Sequence, residues 1–303
     1  MSHRRSTSGP RKIPDRLPEI PSIKFYQKLG QGHFSEVYEG LYKDKIPAAI
    51  KVIERGSSHL ISTEVQLLQD LRNLPHIIQL FEVIHVENTV LVFELVKSLD
   101  IDDFFDYLTP QKLKTVLKYL IIATNEAHKK GIVHRDIKLA NIMITNDFSD
   151  LKLIDWGCGT YITDSMSPKA GSRTVRSPEM LLGYRAYGTG GDCWAIGTFI
   201  FDILTDGQIP WKAKTSTEVL IHMSKIFGGD NLCDLAYKLN IEPDREFKKR
   251  MRRQSTRTLE SYFDSSCRDL VDDQLVDLMK NLLTIDPSKR YTTDQALNHP
   301  YFK

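Results

Sequence analysis

Between Ile23 and Phe93 the hydrophobic positions fall in short runs that suit strands. Pro47-Ala48-Ala49-Ile50-Lys51-Val52-Ile53 is an apolar run with a single lysine, and Glu87-Asn88-Thr89 reads as a turn between two further strands. Between them Ile61, Val65 and Leu68 recur at i, i+4, i+7 and share one face of a helix. Beyond Val96 the period changes. Leu113, Leu117, Leu120, Ile121 and Thr124 form one helical stripe, and Cys193 to Leu204 is apolar almost all round, as in a helix buried on every side. The pattern predicts an α+β chain of two lobes: a small antiparallel-sheet lobe with one main helix over residues 23–96, and a larger, mostly helical lobe over 97–303. Residues 1 to about 22 are basic, rich in Pro and Ser and poor in apolar side chains, so a mobile tail is expected there.

Composition narrows the function classes. The chain has 303 residues and a net charge of +2, so no gross attraction to nucleic acid or membrane is expected, and electrostatic selectivity must come from local clusters. The longest apolar run, near Tyr119 to Ala123, is far too short to span a bilayer. The N-terminal arginines and lysine are not followed by an apolar segment, which argues against a signal peptide. Cys158, Cys193, Cys233 and Cys267 show no C-x-x-C pair, and read as reduced thiols of a cytoplasmic or nuclear protein. The basic cluster Lys248, Lys249, Arg250, Arg252 and Arg253 reads as a solvated helical face.

Candidate chemistry is concentrated in His134-Arg135-Asp136-Ile137-Lys138-Leu139-Ala140-Asn141, with Asp155-Trp156-Gly157 fourteen residues on. The grouping suits in-line phosphoryl transfer. Asp136 would take the substrate hydroxyl proton, Lys138 would neutralise charge on the transferred phosphoryl, and Asn141 with Asp155 would hold Mg²⁺ through hard oxygen ligands. Upstream, Leu29-Gly30-Gln31-Gly32-His33-Phe34-Ser35-Glu36-Val37 carries glycines that let backbone N–H groups approach phosphates. Glu64 joins the core-facing stripe of Ile61, Val65 and Leu68, and a carboxylate there is costly unless paired. Lys51 is its expected partner.

In this order the stretches resemble the eukaryotic protein kinase domain over residues 23–303. Ala49-Ile50-Lys51 is similar to the family's V-A-I-K strand. Ser177-Pro178-Glu179 takes the place of Ala-Pro-Glu, Asp192-Cys193-Trp194-Ala195-Ile196-Gly197 matches D-x-W-x-x-G, and Arg290 is expected to pair with Glu179. The resemblance implies that Lys51 and Glu64 orient the nucleotide phosphates and that Phe93, Glu94 and Val96 border the adenine. Trp156 in Asp-Trp-Gly, the glycine-loop serine, Leu151-Lys152-Leu153-Ile154 and Asn298-His299-Pro300-Tyr301-Phe302 resemble the catalytic alpha subunit of casein kinase 2.

That likeness implies phosphate transfer from ATP, or GTP, to Ser or Thr with acidic residues nearby. It also implies activity without activation-segment phosphorylation. A regulatory beta-subunit dimer would dock on the outer face of the small sheet, near Ile50 and Val52, to form a heterotetramer. Lys169, Arg173 and Arg176, before Ser177, would attract substrate carboxylates. The alternative is that these cations tether the segment internally. Ser35 departs from the general G-x-G-x-x-G pattern. Two departures from the casein kinase 2 pattern stand out: Glu54 to Leu60 carries one arginine where the family has a lysine cluster, and the tail before Ile23 is too short and dissimilar to supply the segment that props the activation loop in the family. In the alternative, Thr160, Thr163, Ser165 or Thr174 is phosphorylated and pairs with Arg135. Two other readings are a kinase-fold scaffold without catalysis and a kinase of different substrate preference.

Overall fold

A computed structural model describes residues 17–32, 35–53 and 58–303. The chain divides into two compact units, one running to Asn73 and taking up Ile77–Lys97, the other formed by Leu74–His76 and Ser98–Lys303.

The first unit is built on β1 (Ile23–Gln31), β2 (Ser35–Tyr42), β3 (Ile46–Ile53), β4 (Leu80–His85) and β5 (Thr89–Glu94), in the order β1-β2-β3-β5-β4. All neighbours are antiparallel. Its helix, α1 (Ser58–Asp70), carries the predicted Ile61, Glu64, Val65, Leu68 face. On β3, Lys51 lies opposite Val37 and Leu91, so Ile50 and Val52 point to the other face of the pleat. There they are buried in one apolar cluster with Tyr38, Tyr42, Ala48, Val90 and Val92.

Ile20 and Ile23 belong to that same cluster, and Leu17 packs against it. The tail expected to stay mobile as far as residue 22 is thus corrected: Leu17 and Ile20 are held on the sheet, while residues 1–16 lie outside the described ones. Three apolar side chains at a spacing of three outweigh the prolines between them, because burying each is worth about 1.5–3 kcal/mol.

The second unit contains α2 (Ile101–Tyr107), α3 (Pro110–Lys129), β6 (Ile132–Val133), β7 (Ile142–Ile144), β8 (Leu151–Leu153), β9 (Thr160–Tyr161), α4 (Pro178–Leu181), α5 (Gly190–Leu204), α6 (Ser216–Phe227), α7 (Gly229–Lys238), α8 (Arg245–Arg252), α9 (Asp273–Leu282) and α10 (Thr293–Leu297). Thr109 caps α3 and Pro110 sits at its first turn, where a missing N–H costs nothing. The stripe from Leu113 to Thr124 is buried, and α5 is buried along nearly its whole length.

Gly197 sets how near α9 can come, since a Cβ there would lie 2.9 Å from the Leu283 side chain and 3.0 Å from that of Leu282. Two short antiparallel pairs, β6 with β9 and β7 with β8, bracket the loops at 134–141 and 154–159. No described helix is long and apolar enough to cross a membrane.

Candidate active site

In the small unit, Lys51 Nζ lies 2.7 Å from Glu64 Oε1, the ion pair expected from the helical stripe. Glu64 is buried, so removing the lysine would leave a costly carboxylate. Gly30 and Gln31 end β1, and the next residue, Gly32, donates its N–H to Ser35 O at 2.7 Å. His33 and Phe34 lie outside the described residues. Leu29 is exposed at the strand edge.

Glu36 accepts from Lys28 and from the Tyr38 hydroxyl, which hold its carboxyl below the ordinary range. Its charge is therefore engaged within the sheet. Phe93 is buried on β5, and Glu94 turns back, its carboxylate accepting from Gln79 N at 2.9 Å. Val96 is half-buried just beyond.

In the large unit, Asp136 is the centre of a hydrogen-bond circuit. Lys138 Nζ donates to Asp136 Oδ2 at 2.8 Å and to Ser172 Oγ at 2.7 Å. Ser172 N donates to Asp136 Oδ1 at 2.7 Å. Asn141 Nδ2 donates to the Asp136 carbonyl at 2.8 Å and to Oδ2 at 3.2 Å. Burial alone would push the Asp136 carboxyl up, but the Lys138 ammonium and the two Ser172 groups outweigh it and hold the pKa below its usual value. The carboxylate is thus ionised and aimed as an acceptor.

The activation segment reaches this loop only because of Gly171. Its φ is +69°, and a Cβ there would fall 2.0 Å from Arg135 O. Arg135 also has positive φ, at 68°, and its N–H is fixed by Asp192 Oδ1 at 2.7 Å. Ser172, 36 residues from Asp136, was not among the residues selected from the sequence; no local pattern marks a backbone N–H as a carboxylate partner.

Asn141 and Asp155 offer the donor set for a hard cation. The two donations from Asn141 Nδ2 leave the amide oxygen as its ligating atom, and Ile154 N donates to Asn141 O at 3.0 Å, tying the two loops together. Asp155 is exposed, with left-handed backbone, φ 59°. Trp156 fixes the loop behind it. The indole is buried, its Nε1 donates to Leu153 O at 3.3 Å, and its ring meets His134 edge-on at 4.7 Å. Among the described residues no three His, Cys, Asp or Glu side chains cluster as a metal site. Two oxygen donors fit Mg²⁺, which usually takes its remaining ligands from phosphates and water.

The three candidate cations part company. Arg176 is half-buried and its guanidinium donates to three carbonyls, Lys169 O at 2.5 Å, Ala170 O at 2.9 Å and Gly171 O at 2.6 Å. Burial, then the Arg173 charge, lowers its pKa. These bonds match the tethering alternative for Arg176. Lys169 and Arg173 are exposed, and among the described residues neither forms an ion pair. Arg135 is likewise engaged, donating to Cys158 O at 2.6 Å, Gly159 O at 3.3 Å and the Tyr187 hydroxyl at 3.2 Å.

Glu179 and Arg290 form a buried two-pronged pair at 2.8 and 2.9 Å, joining the end of the activation segment to the helical core. A family profile described as protein kinase domain matches residues 23–302, almost the full chain. With the antiparallel sheet of the first unit, the helical second unit and that match, the chain belongs to the protein kinase family.

Proposed function

We propose that this protein kinase is a serine/threonine kinase of the casein kinase 2 alpha type, active on acidic sequences without phosphorylation of its activation segment. The observation that carries the reading is the Asp136 circuit. Its carboxylate is ionised and oriented by Lys138, Ser172 and Asn141. A substrate hydroxyl would donate to Asp136 and lose its proton as the phosphoryl arrives. A weakly basic carboxylate suits a loose transition state in which that transfer is late.

Lys138 bridges Asp136 and Ser172, and its charge would offset that on the moving phosphoryl. Lys51, held by Glu64, would face the α- and β-phosphates, and residues Gly30–Gly32 would offer backbone N–H groups. Mg²⁺, when bound, neutralises phosphate charge, and Asn141 and Asp155 are the residues that would hold it.

Independence from phosphorylation is supported by Arg135. In the alternative, Thr160, Thr163, Ser165 or Thr174 would need a phosphate to satisfy it, but two carbonyls and Tyr187 already do so, and Tyr187 in turn donates to Ser167 O at 2.5 Å. Acid preference is supported by the exposed Lys169 and Arg173. A regulatory beta dimer on the small sheet would meet the exposed Ile46 and Phe81 beside Tyr42, since Ile50 and Val52 are buried.

A positional-scanning peptide array, run with ATP and with GTP, tests the reading on protein shown by mass to carry no phosphate. Transfer to Ser and Thr with acidic flanks is expected. Transfer only after prior phosphorylation, or with no acid preference, would overturn it.

A further inference from the structure

Helix α8 and the residues just beyond it carry more positive charge than their own folding uses. Residues 245–257 hold seven lysines and arginines against one glutamate, while the whole chain carries only +2. Two of the seven are engaged locally. Arg252 Nε lies 2.7 Å from Asp230, and Lys248 Nζ reaches Glu242 at 3.5 Å and the Tyr237 hydroxyl at 3.2 Å. Arg245, Lys249, Arg250, Arg253 and Arg257 are exposed, and among the described residues none of them forms an ion pair.

The helix that presents them is firmly seated. Asp244 Oδ1 accepts from Phe247 N at 2.9 Å at its start, and Met251 is fully buried. A Cβ on Gly229 would lie 2.4 Å from Met251 O, so α7 begins against the backbone of α8. Phe247 and Met251, four apart, share the inward face, which leaves Arg245, Lys249 and Arg253 as an outward stripe at i, i+4, i+8. Folding alone gives no reason for that stripe. Cations in the last turn favour a helix end, but Arg245 opens the first turn, and like charges four apart repel along its length. A local rule broken without structural return points to a function.

The spacing and surroundings of the stripe say what fits it. At 1.5 Å per residue its cations stand about 6 Å apart along the helix axis. An extended peptide repeats one face every second residue, about 6.6 Å, so carboxylates at alternate positions match the cations one for one. Exposed carboxylates border the track at Asp230, Glu242, Asp244 and Glu246, which leaves room for one peptide strand and repels a broad polyphosphate surface. The exposed Tyr237 ring, which could stack on a base, is already covered by Lys248 Nζ at 5.5 Å.

We infer that the outward face of α8 is a docking site for an extended, Asp- and Glu-rich segment of a protein substrate, apart from the residues that flank the phosphorylated hydroxyl. Helix α6 packs against both α8 and the Arg173–Val175 turn of the activation segment, and Arg257 N donates to Lys225 O on α6 at 2.7 Å. One helix therefore links the stripe to the exposed Arg173. The assignment to substrates rests on the acid-preferring reading proposed above, whereas the affinity for an acidic segment does not.

The test compares the full chain with a triple variant, Arg245→Gln with Lys249→Gln and Arg253→Gln. The probe is a fluorescein-labelled oligoglutamate peptide without Ser, Thr or Tyr, its binding read by anisotropy. Wild type should bind it, more weakly as salt rises, and the variant should bind about tenfold less tightly, the worth of three exposed ion pairs. The Tm should hold or rise, because a repulsion has been removed. In turnover, kcat/KM for a short acidic serine peptide should be the same in both proteins. A distal glutamate tail on that peptide should lower KM in the wild type and not in the variant.

Equal binding of the probe by both proteins would overturn the inference, and a lowered Tm in the variant would mark the stripe as structural. Tighter binding of single-stranded oligothymidine than of the peptide, lost in the same variant, would give the face to nucleic acid instead. A tail without effect on the wild-type KM would overturn the assignment to substrates. The anisotropy reading needs no turnover. A kinase assay that fails on every peptide would therefore count against the proposed function, while the docking site is decided by binding.

Discussion

The candidate residues of the small unit and those of the large unit are held in place by different means. In the small unit, Lys51 is placed by strand register, opposite Val37 and Leu91, and pairs with Glu64 on a helix thirteen residues away. In the large unit, Asp136 is placed by partners gathered from far along the chain: Ser172 directly, Asp192 through the backbone of His134 and Arg135, and Gly171 by its lack of a side chain. A site set by register depends on a few neighbours and tolerates change elsewhere. One set by long-range closure depends on the whole segment from 134 to 192.

The difference can be broken from either side. Lys51→Met should lower turnover by about 10²-fold or more, the scale for losing one preorganised charge at the transferring group, while the fold persists. An unaltered rate would remove Lys51 from the chemistry. Gly171→Ala should act on the other half by forcing the activation segment away from Arg135. Strain at such a position costs about 1–3 kcal/mol, and the clash adds to it, so both Tm and kcat should fall. Calorimetry together with a turnover assay checks this, and an unchanged Tm would contradict the close approach.

Removing Lys138 sharpens the electrostatic side. Asp136 is held below its ordinary pKa, so the ionised form and the stability it lends are present at neutral pH and lost as pH falls through that lowered value. Lys138→Ala removes the largest group that lowers it, so the acid limb of the kcat/KM profile should move to higher pH. A limb that stays in place would assign the lysine to the phosphoryl alone.

The smallest effect should separate the two arginines. Arg173→Ala should raise KM for acidic peptides about two- to fivefold over neutral ones, the worth of an exposed ion pair. Arg176→Ala should lower thermal stability and affect both peptides alike, because it releases three backbone carbonyls.

The same contrast explains what could be read from the sequence. Periodic elements were legible. The strand at Lys51, the turn at Glu87-Asn88-Thr89, the helix bearing Glu64 and the buried helix at Cys193 to Leu204 each advertise themselves within a dozen residues, since period and burial are local properties. The Lys51–Glu64 pair followed from one polar residue in an apolar stripe.

The tether of Arg176 was not legible because its partners are carbonyl oxygens, which every residue has and no sequence pattern displays. Ser172 was missed for the same reason, its main bond to Asp136 being a backbone N–H. Leu17 and Ile20 were lost among prolines and basic residues, although the sheet face they cover needed covering.

The central claim is that the Asp136 carboxylate takes the proton of a substrate hydroxyl in a site assembled without phosphorylation. Asp136→Asn keeps the shape and most hydrogen bonds but removes the charge, and measuring nucleotide affinity beside phosphate transfer to a serine peptide tests it most directly. The account predicts transfer reduced by about 10²–10⁴-fold with nucleotide affinity essentially unchanged. Near-normal transfer by the purified variant would contradict it.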